Sequence, residues 1–166
     1  MWDSGMERKT IVHPIPPTYD ENSTILILGS FPSVKSRESE FFYGHPQNRF
    51  WRVTAALFGG KVPVTKEEKH AFLIKNRIAA WDVIAACSIE GSADSTIRDV
   101  RANDLSPILA ASKIDRIFVN GKTAEKYYRR YIEPVLGIKA VCLPSTSPAN
   151  AAKSLDELIE DWKIIL

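Results

Sequence analysis

The stretch TILILGS, residues 24–30, indicates the fold class of this 166-residue chain. Its four central residues are apolar without alternation, which is typical of a strand buried on both faces of a parallel sheet. Two further segments, RIFVNG (116–121) and IKAVCLPS (138–145), have the same form. Part of IAAWDVIAAC (78–87) is expected to add another strand. We therefore predict a mostly parallel central sheet of about four strands.

Segments with helical periodicity lie between these strands. Alternation of strands and helices predicts an α/β protein, a three-layer α/β/α sandwich. We expect residues 24–166 to form one domain, and residues 1–23, rich in Pro, Asp, Glu and Ser, to form an extended N-terminal arm. The predicted helices are NRFWRVTAALFGG (48–60), TKEEKHAFLIKNR (65–77), NDLSPILAAS (103–112), KTAEKYYRRYI (122–132) and SLDELIEDWKII (154–165).

The composition is ordinary for a globular protein and therefore excludes few functional classes. The chain is 45% apolar and 25% charged, and its formal net charge of +2 is too small to indicate nucleic-acid binding by itself. Cys87 and Cys142 are far apart and form no CxxC pair, so we expect two buried thiols and no metal centre. The sequence shows no signal-peptide core and no apolar run near the ~20 residues of a membrane span, which predicts an intracellular protein.

The loops that follow the predicted strands are where a ligand should bind, since parallel sheets bind ligands at the carboxyl ends of their strands. The first strand leads into GSFPSVKSRESEFFYGHPQN (29–48), and the last into PSTSPAN (144–150). Neither loop has the glycine spacing of a dinucleotide site or the GxxxxGK[ST] phosphate loop. A nucleotide cofactor is therefore disfavoured. On composition alone, PSTSPAN could equally be a plain Ser/Pro surface turn.

The stretch FYGHPQNRFW, residues 42–51, is more specific. Tyr43 offers an aromatic face, and Asn48 offers both a donor and an acceptor for a polar ring. Asn is also a preferred helix N-cap, so a structural role for Asn48 stays open. His45 is equally suited to stabilising the turn or to acting in a site. His13 and His70 lie outside these motifs and are expected to be solvated.

Three motifs together resemble the uracil-DNA glycosylase superfamily: LGSFPS (28–33), YGHPQNRFW (43–51) and LPSTSPAN (143–150). They are most similar to the hypoxanthine-DNA (deoxyinosine) glycosylase branch and share HPxNRFW with the mismatch-specific uracil/thymine-DNA glycosylases. The resemblance implies a monofunctional DNA glycosylase of base excision repair that hydrolyses the N-glycosidic bond of deaminated bases. Hypoxanthine is the first expected substrate, with uracil and xanthine as further candidates. No cofactor is implied, and the expected partner is DNA bound by a monomer.

Two departures from the superfamily pattern shape the expected mechanism. Phe31 stands where the mismatch-specific enzymes have a water-positioning Asn, and Leu143 stands where many relatives have His. The hypoxanthine branch relies instead on an Asn of the second motif, which Asn48 matches. Because the motifs supply no carboxylate, we expect a site without a carboxylate base that works by stabilising the departing base.

The resemblance and the strand-end loops together predict a set of site residues. The candidates for phosphate contacts are Lys35, Arg37 and Lys122, although the sequence favours a solvated role for each of them taken singly. The predicted site consists of Asn48 as the catalytic residue; Gly29, Ser30, Phe31, Tyr43, Gly44 and His45 for the base; Ser33, Lys35, Pro144, Ser145, Thr146, Ser147 and Pro148 for DNA; and no metal ligand.

Three alternatives stay open at this stage. The chain could be a glycosylase for G:U and G:T mismatches, or a catalytically weak DNA-binding module that retained the fold. It could also be a small-molecule α/β enzyme, which would have no salt-dependent affinity for DNA. A glycosylase from a prokaryote would be associated with the nucleoid.

Overall fold

The computed structural model describes residues 10–166, and they fold around two sheets. The strands are β1 (Thr10–Val12), β2 (Ile25–Gly29), β3 (Ile78–Asp82), β4 (Ile84–Ser88), β5 (Arg98–Ala102), β6 (Arg116–Asn120) and β7 (Ala140–Leu143). The α-helices are α1 (Val34–Ser39), α2 (Phe50–Phe58), α3 (Lys66–Lys75), α4 (Ser106–Ala110), α5 (Lys122–Tyr127), α6 (Glu133–Leu136) and α7 (Leu155–Trp162).

The central sheet has four parallel strands in the order β3-β2-β6-β7. Every residue of β2 is buried, because helices cover both faces of the sheet. Leu26 and Leu28 pack into one core with α4 and α5, whereas Ile25 and Ile27 pack into the other with α2, α3 and α7. The predicted three-layer α/β/α sandwich with a four-stranded parallel sheet is confirmed.

Helix starts follow their local sequence. Thr65 and Glu68 form a capping box before α3, and Ser154 and Glu157 form another before α7. The helix predicted over residues 122–132 is present but not uniform. Its second half, Tyr128–Ile132, is a π-helical segment between α5 and α6.

The second sheet was not predicted from the sequence. It is antiparallel, in the order β1-β4-β5. The sequence predicts one strand within residues 78–87, whereas the structure has two strands on either side of Val83, one in each sheet. One partner of β4 is β5, which carries two arginines and an aspartate in five residues and has no fully buried position, so its sequence resembles that of a loop.

The arm predicted for residues 1–23 falls partly outside the described residues, which begin at Thr10. From there the segment lies against the domain. Thr10–Val12 pairs with β4, and Thr18 bridges Ala80. Of the two free cysteines, Cys87 is buried as expected and Cys142 is half-buried. No helix between residues 10 and 166 is long and apolar enough to cross a membrane.

The strand ends determine where a site can form. Gly29, Asp82 and Asn120 are the last residues of β2, β3 and β6, so the parallel register brings them to one edge of the sheet. Asp82 pairs directly with Gly29 across the two strands. The loops 30–49 and 144–154 close over this edge.

Trp162 anchors α7 over the sheet. Its ring is fully buried, packs edge-on against Phe50 and donates from Nε1 to the Pro144 carbonyl at 2.9 Å. We expect Trp162→Ala to lower the free energy of unfolding by about 3–5 kcal/mol, through the cavity and the lost hydrogen bond. Val135→Ala is the control, because Val135 is 81% exposed. Denaturant unfolding of both variants checks this, and equal effects would contradict it.

Candidate active site

A cavity of about 400 Å³ opens at the carboxyl edge of the parallel sheet. This volume lies within the range of small-ligand sites, about 300–1,000 Å³. The residues that line it come from strand ends, from the segment before α2 and from the loop after β7. Predicted site residues on its wall are Gly29, Ser30, Phe31, Ser33, Tyr43, His45, Asn48, Ser145, Thr146, Ser147 and Pro148.

Three predicted residues lie outside the cavity wall. Gly44 packs on α1: a Cβ there would meet Ser39 Oγ at 2.6 Å, so the missing side chain makes room for a helix rather than for a base. Lys35 is exposed and pairs with Glu38 at 3.8 Å. Pro144 contributes its carbonyl to the anchor of α7 and adds no surface to the cavity.

Asn48 is fixed in one orientation. Its Oδ1 accepts the Phe50 backbone N–H at 2.9 Å and the Thr146 hydroxyl at 2.8 Å. Because a backbone N–H can only donate, these contacts identify the oxygen of the amide. Its Nδ2 makes no hydrogen bond within the described residues, so Asn48 presents a donor to the cavity.

Thr146 sets that orientation. It is completely buried and links Asn48 to Asn120, whose Nδ2 donates to Thr146 Oγ1 at 3.0 Å and whose Oδ1 accepts the Thr146 N–H at 3.1 Å. The hydroxyl is therefore used within the protein, which favours a structural role for Thr146 over the predicted contact with a DNA phosphate. The other predicted loop hydroxyls, of Ser145 and Ser147, are only half-buried and remain at the cavity wall.

Arg49 holds the last loop against α2, a role that the sequence did not reveal. Its guanidinium donates to the carbonyls of Ser147 at 3.2 Å, Asn150 at 2.9 Å and Lys153. Its backbone N–H donates to the Thr146 carbonyl at 3.0 Å. The loop after β7 is thus fixed by one planar side chain of the second motif.

Tyr43 contributes its hydroxyl as well as its ring. One ring face stacks on Phe50, with centroids 4.0 Å apart, and the backbone is left-handed at φ 52°. The hydroxyl is buried and has no hydrogen-bond partner within the described residues. Burial raises the pKa of Tyr43, and the charge of Asp82 raises it further; the nearby Asn120 amide acts in the opposite direction without a well-formed hydrogen bond.

Two carboxylates line the cavity, so the expectation of a site without one is wrong. Asp82 lies at the end of β3 and contacts His13 at 2.7 Å, with side chains 6% and 3% exposed. The prediction that His13 is solvated is therefore also wrong. Asp94 lies at the exposed rim, 3.4 Å from the Ser30 hydroxyl. Desolvation of its carboxylate raises the pKa of Asp94, and the hydrogen bond from Ser30 acts in the opposite direction.

His45 has a turn-stabilising contact, since its Nδ1 accepts the Gln47 N–H at 3.0 Å, and it also lines the cavity. The hydroxyl of Ser33 caps α1. Phe31 meets the His13 ring edge-on at 5.9 Å, and Arg37 lies over the Phe31 ring. Within residues 10–166, no group of three or more His, Cys, Asp or Glu side chains is arranged to hold a metal ion.

The family model of the uracil DNA glycosylase superfamily matches residues 16–165, which include every element of the parallel sheet and the whole cavity. The chain belongs to this superfamily.

Individual members of the superfamily align over most of the chain. A hypoxanthine DNA glycosylase from Methanosarcina acetivorans is 41% identical over 155 residues, covering 90% of this chain and 94% of that protein. One from Methanosarcina barkeri is 35% identical over 152 residues, covering 89% and 92%. A solution NMR structure from Methanosarcina acetivorans, described as a candidate uracil DNA glycosylase, matches with a TM-score of 0.75 at 35% identity, covering 93% of this chain and 99% of that one.

The buried hydroxyl of Thr146 generates a stability prediction. Thr146→Val keeps the shape of the side chain but removes two hydrogen bonds: Oδ1 of Asn48 loses one donor, and Nδ2 of Asn120 loses its acceptor. We expect the free energy of unfolding to fall by about 1–3 kcal/mol. Thr10→Val, at an exposed position, should change it by no more than about 0.5 kcal/mol. Denaturant unfolding compares the two, and a neutral Thr146→Val would show that the network is not stabilising.

The Arg49 clamp generates a prediction about loop dynamics. Lysine cannot reproduce the planar fork that reaches three carbonyls. Arg49→Lys should therefore speed hydrogen exchange of the backbone amides of Ser147, Ala149 and Asn150 by about tenfold, an opening cost of about 1.4 kcal/mol. Arg52→Lys, in the first turn of α2 and exposed, is the matched control. Unchanged exchange in Arg49→Lys would mean that other contacts fix the loop.

Proposed function

We propose that this protein is a monofunctional DNA glycosylase that hydrolyses the N-glycosidic bond of deaminated bases in base excision repair, with hypoxanthine as its first substrate. The observation that carries the proposal is the fixed Asn48 amide, which aims a free donor into a base-sized cavity. Two relatives of the same superfamily, at 41% and 35% identity, are hypoxanthine DNA glycosylases. Uracil and xanthine are weaker substrates in this proposal.

The base must leave the duplex to reach the cavity. Extrusion costs a few kcal/mol and is cheapest for a mispaired base, so some selectivity arises before any contact with the protein. Inside, the base lies beside Tyr43, and Pro148 and Ala149 on the exposed part of the last loop face the gap left in the stack. Ser145 and Ser147 are placed to meet the flanking phosphates.

Cleavage develops positive charge on the sugar and negative charge on the departing base. The Nδ2 group of Asn48 donates a hydrogen bond where that negative charge appears and stabilises it. Because Oδ1 of Asn48 is already used twice, Asn48 cannot take a proton from the attacking water. A carboxylate at the rim of the cavity, Asp94, supplies that acceptor instead. No metal or redox cofactor is required.

The partner in this proposal is DNA that contains a deaminated base, bound by a monomer. The protein then works where the genome is, in the nucleoid if its source is prokaryotic. The formal net charge of +2 predicts modest affinity for undamaged DNA and a moderate dependence on salt.

Base release from oligonucleotide duplexes tests the proposal. Matched duplexes carry hypoxanthine opposite T, uracil opposite G, thymine opposite G, or no lesion, and alkali reveals abasic sites. We expect release of hypoxanthine above all. Preferred release of uracil or thymine would assign the protein to the mismatch-specific glycosylases. Binding without release from any duplex would make it a DNA-binding module.

Two substitutions of Asn48 test whether its side chain acts as a hydrogen-bond donor to the base or as a proton acceptor for water. Asn48→Asp keeps an oxygen for Phe50 and Thr146 but removes the free N–H donor, so release should fall about 100-fold or more. Base release by Asn48→Ala should fall by at least the same factor. Asn22→Ala, at an exposed position outside the cavity, should leave release unchanged. Retained or increased activity in Asn48→Asp would show that residue 48 acts on water as a base.

A further inference from the structure

The His13–Asp82 pair is the most unusual feature that the proposed reaction leaves without a role. Both side chains are almost fully buried, and Nε2 of His13 lies 2.7 Å from Oδ2 of Asp82. Within the described residues, no Lys or Arg lies within ion-pair distance of Asp82. A buried carboxylate that lacks a cationic partner is costly, and such groups are characteristic of functional sites.

The tautomer of His13 can be deduced from its second contact. The Ile15 backbone N–H donates to Nδ1 at 3.2 Å, so Nδ1 carries a lone pair. The ring N–H is then at Nε2, and it donates a hydrogen bond to Oδ2 of Asp82. Edge contacts with Phe31 at 5.9 Å and Trp81 at 6.1 Å hold the ring in place.

This leaves Oδ1 of Asp82 as an acceptor beside the cavity. It lies over Gly29, where a Cβ would be only 2.4 Å away, and no hydrogen bond within the described residues uses it. The Tyr43 hydroxyl lies over the same glycine, 3.4 Å from the same Cβ position, and is also unpaired. An acceptor, Oδ1 of Asp82, and a donor, the Tyr43 hydroxyl, therefore both lie next to Gly29. Neither has a hydrogen-bond partner within the described residues.

A lactam has the complementary pair of groups. Deamination converts the ring nitrogen and amino group of adenine or cytosine into the N–H and C=O of hypoxanthine or uracil. The N–H of that lactam suits Oδ1 of Asp82, and its C=O suits the Tyr43 hydroxyl. An undamaged adenine or cytosine has the opposite polarity and would leave both buried groups unsatisfied, the arrangement that gives the strongest discrimination.

We propose that Asp82 and Tyr43 select the lactam edge of the flipped base, and that His13 is the positioning residue that keeps Oδ1 of Asp82 aimed at it. This inference rests on the proposed glycosylase function and names the group that distinguishes its substrates from undamaged adenine and cytosine. It gives the segment before β2 a part in specificity, because His13 directly follows β1.

The test compares two bases in single-turnover release. One duplex carries hypoxanthine, and the other carries unsubstituted purine, which has neither the lactam N–H nor its C=O. The measured quantity is the ratio of the two rates. Wild type should strongly favour hypoxanthine. Tyr43→Phe should lower the ratio at least tenfold without loss of thermal stability, because the hydroxyl has no partner in the free protein.

Asp82→Asn is the sharpest variant. The His13 N–H retains an oxygen, so the amide nitrogen takes the place of Oδ1 and an acceptor becomes a donor. The ratio should fall by more than tenfold. Adding His13→Phe to Asp82→Asn frees the amide to rotate, and the ratio should recover in part. Asp115→Asn, at an exposed position, is the matched control and should behave as wild type.

His13 is tested alone by two substitutions. His13→Phe should lower the hypoxanthine-to-purine ratio, and His13→Gln, which can still donate to Oδ2, should restore most of it. Equal losses on both bases in the Asp82, Tyr43 and His13 variants would overturn the inference, since a structural role affects every substrate alike. If wild type releases no base from any duplex, the proposed function fails instead, and the two failures are distinguishable.

Discussion

A strand that is buried on both faces has no place for a polar side chain, and this constraint arranges the rest of the molecule. All of β2 is buried between two helical layers. Polar side chains are consequently displaced to the positions where parallel strands end, and Asp82 and Asn120 are the last residues of β3 and β6. Gly29, at the end of β2, leaves space between them. The cavity is thus a consequence of the same burial that stabilises the sheet.

The polar groups at this edge separate into those that satisfy one another and those that do not. Asn120, Thr146 and Asn48 form a directed chain in which each donor meets an acceptor. That chain ends in the Nδ2 group of Asn48. Asp82 and Tyr43 differ, since each retains an unpaired atom at the cavity. A protein rarely buries such atoms without a partner, and a ligand that supplies the missing donor and acceptor removes the cost.

The sequence was most informative where a local pattern decides the structure. The apolar stretch 24–30 predicts the sheet, and the loops that follow strands predict most of the cavity wall. The second sheet was not predicted because three of the five residues of β5 are charged and because β3 and β4 are separated by a single apolar residue. Asp82 was hidden inside the segment 78–87, and His13 in a proline-rich segment. Their importance arises from a contact between residues 69 positions apart, which no local pattern encodes.

Recognition and catalysis make opposing demands at this cavity. A carboxylate that accepts the lactam N–H places negative charge beside a base that must leave with negative charge of its own. At about 4 Å and an effective dielectric constant of about 20, such repulsion is of order 4 kcal/mol. The donors of Asn48 and Tyr43 must offset it, while the same charge favours the cationic sugar. A cavity in which a carboxylate faces the base among several donors therefore gains selectivity at some cost in rate, and the His13 contact to Oδ2 limits that cost by drawing part of the charge away from the base.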